Sequence, residues 1–242
     1  MMARLRLALL ALVLLPAACA LCMTPAALGS RVSDATSRLA LDSEAAERVQ
    51  EYVRLLLAYN ERTNVYSKSA YDKLPFHIED SMTLAKLVGE QATRGSLDLG
   101  SGSGLPSVVI ACVNPSLPVW AVESKSRKTR FLAHAAKALE LPLYTPLTQN
   151  VHELSRSWAF DCDVVTAKAF KPLDEVGPIA RRCVSDKARL LVPISQAQTK
   201  EFSLAEDQLS RHGDQFIYYV EAIEASRGTE QRKMVTQESR PR

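Results

Sequence analysis

Three glycines at alternate positions, directly after a short apolar run, constrain the fold of this chain more than any other feature. Residues 97–99 lead into Gly100, Gly102 and Gly104, and Pro106 follows where it suits the first turn of a helix. Glycine lets the backbone turn sharply and lets a ligand approach the main chain closely. The pattern predicts the first strand, loop and helix of a nucleotide-binding Rossmann unit. A tight strand-to-helix turn that binds no ligand is the alternative interpretation.

The loop departs from the dinucleotide fingerprint, because the third glycine of G-x-G-x-x-G would fall at Leu105. A second apolar run over residues 118–122 ends at Glu123, which lies 25 residues after Asp98. A carboxylate at the end of a second strand can accept hydrogen bonds from both hydroxyls of a ribose. The layout fits a dinucleotide or S-adenosylmethionine, and the spacing of the glycines from Asp98 favours S-adenosylmethionine.

Other sequence blocks narrow the interpretation to a family. They read LLAYNERTN at residues 56–64, HIEDS at 77–81, LDLGSGSGLPS at 97–107, ESKSRKTRFL at 123–132 and VTAKAFKPL at 165–173. In these blocks, which span about residues 45–195, the chain resembles the bacterial-type small-subunit (16S) rRNA guanine-N7 methyltransferases, the glucose-inhibited division B family. The resemblance implies transfer of the methyl group of S-adenosylmethionine to a guanine N7 of that rRNA.

The resemblance also implies a set of cofactor-binding residues. These are Gly100, Gly102, Leu105, Glu123, Val151, His152 and Lys168. The sequence departs from the family where His152 replaces an acidic residue, where Lys168 replaces an arginine, and where residues 193–195 read PIS instead of containing Lys-Gly. Lysine keeps the charge of arginine but loses its bidentate fork. These departures put cofactor affinity and catalytic efficiency in question and leave the fold intact.

No catalytic base can be assigned from the sequence. Amino-methyltransferases carry [ND]-P-P-[YF] after the fourth strand, whereas residues 168–172 read KAFKP here. Guanine N7 is a lone pair without a proton, so an enzyme that methylates it needs positioning rather than a general base. His77 and Asp80 stand three residues apart on one predicted helix face, but no further ligand accompanies them, and we expect no metal site.

A dense basic stretch follows Glu123. Lys125, Arg127, Lys128 and Arg130 begin a predicted helix, although the helix dipole favours acidic residues there. This indicates an anionic partner, and a solvated helix face is the alternative. The resemblance implies that Lys125, Arg127 and Lys128 contact phosphates of the small-subunit rRNA or of the small ribosomal subunit.

The first 33 residues differ from the rest of the chain. Arg4 and Arg6 precede an apolar run over residues 7–15, as in a signal peptide, and the following stretch has a transit-peptide composition. The chain's net charge of +3 arises from this leader, so RNA binding requires a local basic patch. The leader predicts a plastid, and a wrongly assigned start codon, with a bacterial cytoplasm, is the alternative. In either case we expect a protein that is not secreted, that is free of the membrane in its mature form, and that is a monomer.

The cysteines indicate a reducing compartment. A redox or metal role for the Cys19–Cys22 pair is disfavoured, because no second pair accompanies it. We expect the remaining three to be small buried hydrophobic residues without disulfides, and they are Cys112, Cys162 and Cys183.

The alternation of apolar runs predicts an α/β fold, a Rossmann-like methyltransferase sheet with helices on both faces and an N-terminal helical extension. Further strands are predicted at residues 143–148, 162–168, 189–194 and 216–223, with helices over 173–183 and 196–212. The predicted organisation is a leader over residues 1–33, a helical extension over 34–94, a methyltransferase domain over 95–226 and a polar tail over 227–242. We expect the last strand of the family to be degenerate in this tail, because only Met234 and Val235 are apolar there.

Three other functions remain open from the sequence. A small-molecule methyltransferase would use the same cofactor without the basic helix, and a nicotinamide-dependent oxidoreductase would need the missing third glycine. A non-catalytic RNA-binding ribosome-assembly factor with a decayed site would explain the changes at Lys168 and at residues 193–195.

Overall fold

The computed structural model describes residues 25–226 and 232–236. The apolar leader run, the Cys19–Cys22 pair and most of the polar tail lie outside the described residues. The strands in chain order are β1 Ser96–Leu99, β2 Val119–Glu123, β3 Tyr144–Thr148, β4 Trp158–Phe160, β5 Val164–Thr166, β6 Ala188–Ile194, β7 Leu209–His212, β8 Phe216–Ile223 and β9 Lys233–Val235. The helices are α1 Pro25–Arg38, α2 Ser43–Asn60, α3 Leu74–Gln91, α4 Ser107–Val113, α5 Ser126–Ala138, α6 Val151–Ser157, α7 Leu173–Cys183 and α8 Gln196–Glu201, with 3-10 turns at Lys68–Lys73 and Glu206–Gln208.

Seven of the strands form one sheet in the order β3-β2-β1-β5-β6-β8-β7. The pairs from β3 through β6 are parallel, and β8 and β7 are added antiparallel at one edge. Within this sheet a helix separates each strand from the next along the chain up to β6, which places helices on both faces of the sheet. The predicted Rossmann-like α/β fold is confirmed.

Two hydrophobic cores, one on each face of the sheet, explain why the parallel strands are continuous apolar runs. In β2, Val119 and Ala121 belong to the core shared with α1 to α5, whereas Trp120 and Val122 belong to the core shared with α6 and α7. Successive side chains of a strand point to opposite faces, so a strand covered on both faces is apolar throughout.

The N-terminal helices pack on the first of these cores. The side chain of Asp42 accepts a hydrogen bond from the backbone N–H of Ala45 at 2.7 Å and caps α2. Leu28, Val32 and Ala35 of α1 are buried in the same core. The boundary expected at residue 33 therefore falls inside a helix, because the apolar positions of residues 28–35 recur at helical spacing.

One prediction at the C-terminal end was wrong. The helix predicted over residues 196–212 ends at Glu201, and residues 209–212 form β7, which pairs with β8 across a turn at Gly213 with φ +57°. In the polar tail, residues 233–235 form β9, which pairs in parallel with β4 and buries Val235 completely. Three residues and one buried side chain are enough for this strand, because β4 supplies its hydrogen-bond partners.

Cys112, Cys162 and Cys183 are buried free thiols, as predicted. Among residues 25–226 and 232–236, no three His, Cys, Asp or Glu side chains come together as a metal ion would require. None of the helices in that part of the chain is both long enough and apolar enough to cross a bilayer.

Candidate functional site

The glycine loop joins β1 to α4 at the carboxyl end of the sheet. The backbone N–H groups of Gly100 and Ser101 both donate to the carbonyl of Val122, which holds the loop against β2. Gly100 has φ +75°, and a Cβ atom there would lie 2.4 Å from the ring of Phe170. No other residue fits this position without displacing that ring.

Glu123 ends β2 beside this loop and is 7% exposed. Its Oε2 accepts a hydrogen bond from the backbone N–H of Gly102 at 3.1 Å, and its Oε1 accepts one from the backbone N–H of Lys125 at 2.8 Å. The ammonium of Lys128 lies 4.0 Å from Oε2. The hydroxyl of Ser124 also donates to Oε1, at 3.3 Å. Two main-chain donors therefore fix the orientation of the carboxylate, and Oε2 keeps a lone pair for a further donor.

A cavity of about 580 Å³ opens next to Glu123, which is a size typical of small-molecule sites. We call it the first cavity. It lies at the carboxyl ends of the parallel strands, where α/β proteins bind ligands. Its lining comprises Gly100, Val122, Glu123, Ser124, Lys125, Lys128, Gln149, Asn150, Val151, His152, Ala169, Phe170 and Lys171.

The first cavity brings together four of the seven residues predicted to bind the cofactor, namely Gly100, Glu123, Val151 and His152. Gly102 lies outside its lining and donates to Glu123. Leu105 is half-buried, packs against the first core and does not line the cavity. Of the three predicted RNA-contacting residues, Lys125 and Lys128 line the cavity, whereas Arg127 is exposed outside it.

Asn150 was missed by the sequence analysis, although the polar pair at residues 149–150, directly after a predicted strand, was a usable signal. Its side chain accepts a hydrogen bond from the backbone N–H of His152 at 2.9 Å and so caps α6. This cap holds Val151 and His152 at the wall of the first cavity. Phe170 was also missed, because its contact with Gly100 joins residues far apart in the chain.

Asp98 lies in β1 directly below the glycine loop and is 1% exposed. Its Oδ1 accepts a hydrogen bond from the hydroxyl of Thr166 at 2.8 Å, and Oδ2 has no partner among the described residues. Burial raises the pKa of this carboxyl to about 6, against the opposing effect of its hydrogen bonds.

A second cavity of about 480 Å³ adjoins the first, and the two share Ala169 and Lys171 in their walls. Its other walls come from α3, from the end of β6 and from the start of β8. Its lining includes Phe76, His77, Asp80, Lys168 and Phe216. Lys168, the seventh predicted cofactor residue, lines this second cavity and not the first.

Lys168 belongs to a buried polar network that links three elements. Its ammonium lies 2.5 Å from Oδ2 of Asp80 on α3 and 3.2 Å from the carbonyl of His77. The hydroxyl of Tyr218 on β8 donates to Oδ1 of Asp80 at 2.9 Å. Burial, followed by the adjacent charge of Asp80, raises the pKa of Tyr218, so it remains a donor.

The family to which this protein belongs follows from comparison of its sequence with known families. Residues 45–231 match the family described as rRNA small subunit methyltransferase G. The chain belongs to that family. The predicted family is confirmed, and with it the assignment as a methyltransferase whose cofactor is S-adenosylmethionine. The nicotinamide-dependent alternative is excluded by this membership.

Individual relatives agree with the family match. The chain is 32% identical over 161 residues to the ribosomal RNA small subunit methyltransferase G of Erythrobacter litoralis, covering 66% of this chain and 76% of that protein. It is 35% identical over 157 residues to the protein of the same description from Novosphingobium aromaticivorans, covering 64% and 67%. The fold is similar to that of a putative O-methyltransferase from Klebsiella pneumoniae, with a TM-score of 0.52, 11% identity, and coverage of 81% of this chain and 97% of that one.

Proposed function

We propose that this chain transfers the methyl group of S-adenosylmethionine to N7 of a guanine in bacterial-type small-subunit (16S) rRNA. The observation that carries the proposal is the pair of adjoining cavities at the carboxyl end of the sheet. One is built around the fixed carboxylate of Glu123, and the other has room for a base beside it. Membership in the rRNA small subunit methyltransferase G family supports the choice of acceptor.

The first cavity has the donors and acceptors that S-adenosylmethionine requires. Glu123 would accept one ribose hydroxyl through the lone pair that Gly102 leaves free on Oε2, and the other on Oε1 in place of the hydroxyl of Ser124. Val122 and Val151 would supply apolar contact to the adenine. Gly100 would allow the cofactor to approach the main chain, and Gly102 would act through Glu123. Leu105 would support the glycine loop from the first core, and Lys168 would act from the wall of the second cavity. Both would be positioning residues.

The protein's contribution to the reaction is positioning. S-adenosylmethionine would supply an electrophilic methyl group on a sulfonium. The in-plane lone pair of guanine N7 would form the new N–C bond while the C–S bond breaks and its electron pair stays on the sulfur of the departing thioether. No proton is lost from N7, so the site needs no general base, and none of the described lining residues is assigned that role. Holding N7 in line with the methyl group in a bound geometry is the larger source of rate.

The rRNA would be held by the basic start of α5. Arg127 and Arg130 are exposed there, and Lys125 reaches from the same surface to the rim of the first cavity. Phosphate contacts at this rim would place the RNA backbone next to the cofactor. Lys128 faces Glu123 and lies further inside, so it would contribute to the RNA surface less than its neighbours.

The remaining features of the proposal concern organisation and location. We treat residues 95–226 as the methyltransferase domain and residues 34–94 as a helical extension, to which α1 adds residues 25–33. The relatives are bacterial, and the protein would work as a monomer in a compartment with bacterial-type ribosomes. That compartment is a bacterial cytoplasm, or a plastid if the leader directs import.

The test is methyl transfer to 30S subunits from a bacterial strain that lacks its own guanine-N7 methyltransferase for this subunit. The expected result is one methyl group per subunit from labelled S-adenosylmethionine, placed on a guanine N7 by borohydride reduction and aniline cleavage of the rRNA. Binding of subunits without transfer would instead favour an assembly factor with a decayed site. The observations that keep this second function in view are Lys168 and residues 193–195, where the sequence departs from the family.

A further inference from the structure

Phe76 presents an aromatic ring at the second cavity. Its side chain is 45% exposed, and only one other large hydrophobic residue of the described chain is as open to solvent. The buried ring of Phe216 supports it from below, at a centroid distance of 5.3 Å. An exposed aromatic ring fixed by a buried one loses little conformational entropy when a flat ligand stacks on it.

His77 lies beside Phe76 and lines the same cavity. The hydroxyl of Tyr66 donates its single proton to the carbonyl of Ala70 at 3.1 Å, and the oxygen of that hydroxyl lies 2.8 Å from Nδ1 of His77. The tautomer that satisfies both contacts carries the hydrogen on Nδ1 and donates it to Tyr66, and we assign this tautomer to His77. This tautomer leaves Nε2 as a lone-pair acceptor, and none of the described residues donates to it.

The charge state of His77 agrees with a role of Nε2 as a hydrogen-bond acceptor. Burial, followed by the nearby ammonium of Lys168, lowers the pKa of His77, while Asp80 opposes the shift. Lys73 lowers the pKa further and Asp72 raises it. The imidazole is consequently neutral at pH 7, so Nε2 keeps its lone pair there.

We propose that the second cavity seats the target guanine after its extrusion from the rRNA, stacked on Phe76, with Nε2 of His77 accepting a hydrogen bond from its N1–H or 2-amino group. The inference rests on the proposed function and specifies how its acceptor is recognised. The second cavity continues into the first cavity across Ala169. The guanine N7 can therefore face the methyl donor while the opposite edge of the base faces His77. Flipping a base into a pocket lined by an aromatic ring is a general means of reaching its reactive atom.

This arrangement explains how an enzyme of N7 could select guanine. Adenine carries the same N7, so attack at that atom does not distinguish the two purines. The opposite edges differ, because guanine presents N1–H and an amino group, whereas adenine presents a lone pair at N1. A neutral His77 with a free Nε2 lone pair would pair with guanine and would be left unpaired, facing a second lone pair, with adenine.

The first experiment uses a fluorescent ring in place of Phe76. In Phe76→Trp, saturated with S-adenosylhomocysteine, GMP should quench the tryptophan at a concentration about tenfold below that needed for AMP. IMP should fall between them, because it keeps N1–H and lacks the amino group. His77→Asn retains a donor near Nδ1 and removes the Nε2 acceptor, and in the Phe76→Trp background it should abolish the preference. His77→Gln retains an acceptor near Nε2 and should keep part of the preference for GMP over AMP.

The second experiment measures turnover on undermethylated 30S subunits. Phe76→Ala should lower kcat/KM at least about tenfold with unchanged affinity for S-adenosylmethionine, because base stacking is lost. Phe76→Tyr should restore it. Met234→Ala, which truncates the other exposed large apolar side chain outside this cavity, should match the wild type.

The outcomes separate this inference from the proposed function. Suppose that the wild type transfers methyl groups but GMP and AMP quench equally, or that Phe76→Ala keeps its kcat/KM. Either result overturns the guanine site in the second cavity and leaves the proposed function intact. Quenching that prefers GMP and responds to His77 supports the base site even if the wild type methylates no 30S subunit, and in that case the proposed function fails by itself.

Discussion

The ammonium of Lys168 lies 2.5 Å from Oδ2 of Asp80, and the two side chains are only 14% and 7% exposed. The pair joins the segment after β5 to α3 and forms one wall of the second cavity. A buried ion pair of this kind costs desolvation energy to form and more to break. Its position beside the proposed base site suggests that the cavity wall depends on both charges.

We expect Lys168→Ala to be destabilised by about 3–5 kcal/mol, because Asp80 is left as an uncompensated buried charge. Methyl transfer should fall more than tenfold, whereas Lys168→Arg should hold or raise it because its charge and donors remain. Urea unfolding and transfer to 30S subunits measure the two effects. In the double variant Lys168→Met/Asp80→Leu, stability should return and activity should not. Recovery of both would show that the pair is structural only.

Glu123→Ala should weaken S-adenosylmethionine binding by about 1.5–3 kcal/mol, the effect of losing a charged hydrogen-bond partner. Calorimetry with S-adenosylmethionine measures it directly. Glu90→Ala is a matched control, because that carboxylate is exposed at the end of α3 and lies outside the first cavity. Unchanged affinity in Glu123→Ala would remove this residue from the cofactor site.

The sequence was sufficient for those parts of the site that depend on strand ends. Glu123 and the glycine loop follow apolar runs, and parallel strands bring their carboxyl ends to one edge of the sheet. The sequence was insufficient to place Lys168, which was predicted to bind the cofactor. Its place in the second cavity is set by pairing with Asp80 across two elements, and residue spacing contains no information about that pairing.

The short edge strands of the fold could not be predicted from the sequence either. Residues 209–212 alternate too weakly to distinguish a strand from the end of a helix, and only their pairing with β8 makes them a strand. The same applies to β4 and β9, which are three residues each and stabilise one another. Long buried elements such as α7, which was predicted with its observed bounds, are specified locally by their periodicity.

Replacing Lys125 and Arg127 together by alanine should weaken binding of small-subunit rRNA and reduce its salt dependence by about one unit of slope per lost phosphate contact. Lys128→Ala should instead weaken S-adenosylmethionine binding, because this ammonium lies 4.0 Å from Glu123. Filter binding at several salt concentrations measures the first effect and calorimetry the second. Lys137→Ala, an exposed lysine at the far end of α5, is the control. An unaltered salt slope in the double variant would make this surface a solvated helix face.

Asp98 gives a prediction for stability against pH. Its pKa is about 6 in the folded protein and 3.8 in the unfolded chain, so between those values the folded state holds one proton more. Stability from this group is therefore fully present below about pH 4 and is lost as the pH rises through about 6, by about 3 kcal/mol in all.

In Asp98→Asn this titration is absent, while the hydrogen bond from Thr166 has the same acceptor atom available. The unfolding free energy of the variant minus that of the wild type should thus increase by about 2.5 kcal/mol between pH 4 and pH 7. This increase does not depend on the difference between the two proteins at pH 4. Urea unfolding of both proteins at four pH values across this range measures the difference. Asp186→Asn, at an exposed position, should give a profile parallel to that of the wild type. A parallel profile for Asp98→Asn as well would mean that the pKa of Asp98 is the same in the folded protein as in the unfolded chain.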